Sequence, residues 1–214
     1  MTTTCLADRT APGELLHLVA DGLAGAGLDV SAPGDGEGRL VIALPGARCT
    51  LAVGEYGSAE WEYCPWSPDD ADPDLAADLA TVLLTGRSGP QPRLGFGHQL
   101  ENVTFKGIVG LELKARGLEV ELAVYCDETA FDTFAEIIAT VPGQGDDGGQ
   151  VCVTDEGGLT WTRDYWAGTA GVVSAPELCG QVADPASVAG SVVEAVTRAM
   201  SLLRPAEAGR AGHG

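Results

Sequence analysis

Leu51-Ala-Val-Gly-Glu-Tyr-Gly-Ser-Ala-Glu-Trp61 and Val151-Cys-Val-Thr-Asp-Glu-Gly-Gly-Leu-Thr-Trp161 run in parallel, 100 residues apart. Each opens with the apolar/polar alternation of a half-buried strand, turns at a glycine (Gly57, Gly157) and ends in tryptophan. Trp66 and Trp166 keep the same offset, so all four tryptophans fall into two copies of W-x-x-x-x-W. Residues five apart on a regular strand point to opposite faces. One ring of each pair therefore enters the core, and the other either packs under the following loop or stands at a surface.

The correspondence extends in both directions. Downstream, Asp72-Pro73 precedes an Ala/Leu-rich run at 75–84 and Asp184-Pro185 precedes one at 188–203. Asp followed by Pro starts a helix, because the carboxylate accepts a free N–H and Pro has none to satisfy. Upstream, Gly27-Leu28-Asp29-Val30 matches Gly117-Leu118-Glu119-Val120. This pattern implies an α+β protein of two tandem repeats, each an antiparallel sheet with flanking helices. The expected boundaries are 1–86 for the first repeat, 87–98 for a linker, 99–204 for the second repeat and 205–214 for a flexible tail.

Within the first repeat, Leu15, Leu16, Val19 and Leu23 lie at helical spacing, so residues 12–25 read as a helix. Gly22 to Gly27 close that helix and do not form a dinucleotide-binding turn, which would follow a strand. Strands are expected at 28–32, 39–44, 49–55 and 59–63. The second repeat is ambiguous in two places. Repetition asks for a helix at 101–116, but Leu111, Leu113, Ala115, Leu118, Val120, Leu122 and Val124 alternate around Arg116-Gly117, which favours a β-hairpin. Phe131, Phe134, Ala135, Ile138 and Val141 have helical spacing, which favours a helix at 129–141. The competing strand rests on Ile137-Ile-Ala-Thr-Val-Pro-Gly143 echoing Leu40-Val-Ile-Ala-Leu-Pro-Gly46. Residues 143–149 read as an exposed loop.

Twelve basic against 31 acidic residues give a net charge of −19, which repels nucleic-acid backbones and anionic membranes. No apolar run reaches membrane-spanning length and residues 1–8 do not resemble a leader, so a cytoplasmic location is expected. Ten arginines against two lysines in an Ala/Gly-rich chain imply a GC-rich bacterial gene. The six cysteines form no C-x-x-C pair and no zinc spacing; they read as buried thiols, with no metal or cofactor implied. Asp70, Asp72 and Asp74 imitate part of a calcium loop, but Leu75 stands where its glycine should be. His17, between Leu16 and Leu18, reads as a core or boundary residue. His98 lies on the interdomain segment with Glu101. No nucleophile elbow, phosphate-binding loop or zinc-protease motif occurs.

Helix, antiparallel strands and helix in a small acidic chain resemble the type III secretion chaperones and the YbjN-like proteins that share their fold. That resemblance implies a non-enzymatic role in holding an extended segment of a client. The residues offered for binding are Trp66, Trp166, Tyr63, Tyr165, His98 and Glu101, with an acidic surface favouring a basic partner protein. An acidic immunity protein belongs to the same class. The alternative is a small-molecule-binding protein or enzyme with a pocket between the repeats, near His98, Glu101 and the tryptophans.

Overall fold

A computed structural model of the chain describes residues 13–31, 38–54, 57–88, 104–127, 132–144, 148–165 and 185–203. In chain order the elements are α1 (Glu14–Gly25), β1 (Val30–Ser31), β2 (Arg39–Ile42), β3 (Ala47–Val53), β4 (Ser58–Pro65), α2 (Pro73–Thr85), α3 (Phe105–Ala115), β5 (Glu119–Asp127), β6 (Asp132–Thr140), β7 (Gln150–Val153), β8 (Leu159–Asp164) and α4 (Pro185–Leu203). A 3-10 turn, Pro68–Asp70, separates β4 from α2. The protein is α+β: all eight strands form one antiparallel sheet in the order β1-β2-β3-β4-β8-β7-β6-β5.

Helix, four strands and helix occur in succession twice along the chain. The halves meet at β4 and β8, where Trp61 stands opposite Trp161 and Ser58 opposite Asp164. Alternation assigns one face of this sheet to the core. Leu40, Ile42, Leu51, Val53, Trp61, Ile137, Ala139, Val151, Val153, Leu159 and Trp161 are all buried on it, in one cluster with the inward residues of the four helices. The opposite face carries Thr50, Glu60, Glu62, Thr160 and Thr162, all partly exposed. A sheet with one wet face gives this clean alternation.

Helix contacts run α1–α4–α2–α3 across the core face. Leu15, Val19 and Leu23 of α1 are buried at four-residue spacing, as are Val188, Val192 and Val196 of α4. Gly22 permits the close crossing of α1 and α4, since a Cβ there would lie 2.7 Å from Val193 Cγ2. Between α2 and α3 lies a buried polar knot. The Arg116 guanidinium donates to Thr81 Oγ1 at 3.1 Å, sits 2.9 Å from Asp78 Oδ1 and reaches Glu112 Oε2 at 3.8 Å. The Arg116 and Glu112 side chains are each 1% exposed, so the pair is removed from water and ties the two halves together across the helix layer.

Both ambiguous segments of the second half resolve against their local periodicity. The expected hairpin at 111–124 is instead the end of α3 and the start of β5. Gly117, at φ 82°, stops the helix: Leu118 N–H donates to Leu113 O at 3.1 Å and Gly117 N–H to Lys114 O at 3.0 Å. The same pair of bonds ends α1, Leu28 to Leu23 at 3.0 Å and Gly27 to Ala24 at 2.9 Å, so Gly-Leu is a helix stop in both halves. The expected helix at 129–141 is instead a strand where it is described, β6 over Asp132–Thr140. Ile137 and Ala139 are buried and Ile138 is turned to the open face, as Leu40, Ile42 and Val41 are on β2. His17 is exposed on α1 and is not a core or boundary residue. The 143–149 loop is exposed at Gly143 and Gln144 but buried at Gly148 and Gly149.

Candidate interaction surface

At the end of β4 the chain leaves the sheet through a short acidic corner. The β3–β4 ladder extends by one bond, Trp66 N–H to Gly46 O at 3.1 Å. Ser67 Oγ then accepts from Asp69 N–H at 3.3 Å and opens the 3-10 turn. Asp72 caps α2, its Oδ1 accepting from Asp74 N–H at 2.9 Å and Leu75 N–H at 3.3 Å, with Pro73 at the first helical position. Four carboxylates, Asp69, Asp70, Asp72 and Asp74, thus follow one aromatic residue within eight positions.

Trp66 is 70% exposed, whereas Trp61 and Trp161 are fully buried. Tyr63 bridges the corner to the core: its ring stacks on Trp61 with centroids 6.3 Å apart and planes 11° from parallel. Its phenol is held above the ordinary value, first by burial and then by the charges of Asp72 and Asp70. Tyr63 thus feels the charges of Asp72 and Asp70, while the exposed Trp66 ring precedes the four aspartates in the chain; aromatic faces and carboxylates are both groups that attract ammonium or guanidinium.

Tyr165 does not join this patch. Its N–H donates to Gly57 O at 3.0 Å, at the start of β4, while Tyr63 lies opposite Leu159 near the end of that strand. Six residues of extended chain separate the two sites, about 20 Å. Tyr165 also has a different companion. The Arg163 guanidinium lies 5.1 Å from its ring centroid, so a cation of the chain itself already occupies that aromatic face. Burial raises the Tyr165 phenol above its ordinary value and the Arg163 charge opposes the rise. Trp166, His98 and Glu101 lie outside the described residues.

The carboxylate chemistry of this corner was visible in sequence as helix-terminal charge, but its partnership with Tyr63 was not, because it depends on how the 3-10 turn folds back along β4. An open groove of about 500 Å³ lies on the other side of the sheet, lined by Arg39, Ala52, Ser58, Glu60, Thr162 and Asp164 among others. Arg39 and Glu60 pair within it at 3.5 Å. Among the described residues no group of three or more His, Cys, Asp and Glu side chains is placed to hold a metal ion. Among the described residues the free thiols are Cys49, which is buried as expected, and Cys64 and Cys152, which are partly exposed and so not the buried thiols expected. Comparison of the chain with protein-family models, with curated proteins and with solved structures returns no match.

Proposed function

We propose that the protein is a non-enzymatic binding module, chaperone-like or regulatory, that engages a basic partner polypeptide. The observation that carries this is the exposed Trp66 ring, followed within eight positions by four aspartates, on a chain of net charge −19. An apolar ring that large costs solvation free energy when left in water, and Trp is enriched where partners are gripped. The acidic surroundings steer cationic partners towards it and repel acidic ones. We also infer that the two halves arose by duplication of one helix–strands–helix unit, on the strength of the tryptophan offset and the shared Gly-Leu helix stop. The halves have since diverged, since Arg163 covers the aromatic residue of the second half and only the first keeps a bare acidic corner among the described residues.

The test is capture of partners from the native host by immobilised full-length protein and by its Trp66→Ala and Asp69→Asn/Asp70→Asn variants, followed by titration of each purified candidate. A basic protein that binds the unaltered chain and is weakened by both variants supports the proposal. Recovery of the same set by all three, or saturable binding of a metabolite in its place, overturns it.

A further inference from the structure

The two edges of the sheet are unlike. β1 is a two-residue strand, whereas β5 runs for nine residues, and among the described residues only β6 pairs with it. A long unpaired edge is a template for another strand, and proteins ordinarily blunt it with Pro, Lys, a bulge or a cover. Residues 119–127, Glu-Val-Glu-Leu-Ala-Val-Tyr-Cys-Asp, contain neither Pro nor Lys, and their pairing with 132–140 runs in unbroken register.

Among the described residues the helix layer stops short of this edge. Leu122 stands opposite Ile137 and Val124 opposite Ala135, so both project on the core side of the sheet. Gly110 of α3 comes close over Val120 and Ile137, a Cβ there lying 3.5 and 3.6 Å from their side chains. Beyond that crossing no described helix covers the sheet: Leu122 is 60% and Val124 57% exposed. On the other face Glu119 and Glu121 are exposed, with Glu136 across from Ala123.

We propose that the free edge of β5 receives an extended segment of the partner as a ninth strand, and that this segment alternates apolar with basic residues. The proposal rests on the partner-binding function above and gives it a second point of attachment, distinct from Trp66. Main-chain pairing supplies affinity in such strand addition, and alternate side chains supply specificity. Here the apolar side chains of the incoming strand cover Leu122 and Val124, and the basic ones face Glu119 and Glu121. A second copy of this chain is a poor occupant. Antiparallel pairing of two β5 edges about Ala123 sets Glu119 against Asp127 at both ends, and like charges directly opposed destabilise a ladder.

The experiment uses the full chain and two labelled nine-residue peptides, one alternating lysine with valine and one alternating glutamate with valine, read by anisotropy and amide hydrogen exchange. The lysine peptide is expected to bind saturably, to slow exchange within 119–127, and to weaken as salt is raised; the glutamate peptide is expected not to bind. The Leu122→Thr/Val124→Thr variant keeps strand propensity and charge, and is expected to lower affinity about tenfold or more. Equal binding by that variant, or protection elsewhere, overturns the edge proposal while leaving partner binding intact; loss on Trp66→Ala alone would assign the peptide to the acidic corner. Saturable binding by neither peptide overturns the edge proposal, as does a self-dimer that the double variant dissociates.

Discussion

Trp61 and Trp161 stand directly opposite each other on β4 and β8, both without exposed surface. They belong to different halves of the chain yet fill one layer of one core. Replacing either by Ala is expected to cost about 3 to 5 kcal/mol, through lost burial and the cavity left behind. Because the rings share a seam, the loss should lower a single cooperative urea transition monitored by circular dichroism. Two separated transitions, with only one moved by each variant, would show that the halves unfold independently.

Trp66 should behave in the opposite way. Its ring is mostly in water, so Trp66→Ala is expected to change stability by no more than about 0.5 kcal/mol. Its emission in the native protein should contribute a red-shifted, iodide-accessible component that is reduced in the variant. A blue-shifted loss of signal would contradict the exposed placement.

The Arg116 knot makes an asymmetric prediction. Arg116→Ala leaves Glu112 buried without its cation and is expected to destabilise by about 3 to 5 kcal/mol. Combining Glu112→Gln with Arg116→Met should recover most of that loss, since a matched neutral pair avoids desolvating either charge. Denaturant midpoints of the single and double variants provide the check.

The Cys49 thiol carries a pH signature. Burial pushes it from 9.0 up to about 12, with the Trp61 indole opposing the rise and Glu62 adding to it. The folded state therefore holds this proton more tightly than the unfolded chain does. The associated stability is fully present below pH 9.0 and is lost progressively as pH rises towards about 12. Cys49→Ala should flatten the alkaline side of a stability profile measured between pH 8 and 11. In the native protein at pH 8, Cys49 should also resist alkylation, becoming modified only on unfolding.

Much of this fold could be read before the structure, and the misreadings have physical causes. The strand–turn–tryptophan copies, the Asp-Pro helix start at 72–73 and the burial of Leu51, Val53, Val151 and Val153 follow from short-range chemistry. Local periodicity misled where a charged residue is buried with a partner one helical turn away. Glu112 looks like a solvent position, so Leu111, Leu113 and Ala115 pass for a strand; in the protein Leu113 is buried, Leu111 is exposed, and Glu112 is inside with Arg116. In β6, Ile137-Ile-Ala-Thr-Val-Pro-Gly143 behaves as its echo on β2 does, with glycine at positive φ in both, 80° at Gly46 and 74° at Gly143. Long-range similarity outweighed the apolar spacing there. The binding group split for a related reason: Tyr63 and Tyr165 hold similar places in sequence, but the antiparallel seam sends them to opposite ends of the sheet.

That seam also sets an order of events during synthesis. β4 is complete by residue 65, but the strand that covers its far side begins at Leu159. At about 5 to 20 residues per second, a ribosome leaves β4 with a bare edge for several seconds after the first half has emerged. Its outward row through that interval is Glu60 and Glu62, held in part by Arg39 and Arg48 at 3.5 and 3.2 Å. Charge along the nascent edge disfavours pairing between neighbouring chains on the same message, so the acidity of β4 protects the half-made protein until its own eighth strand arrives.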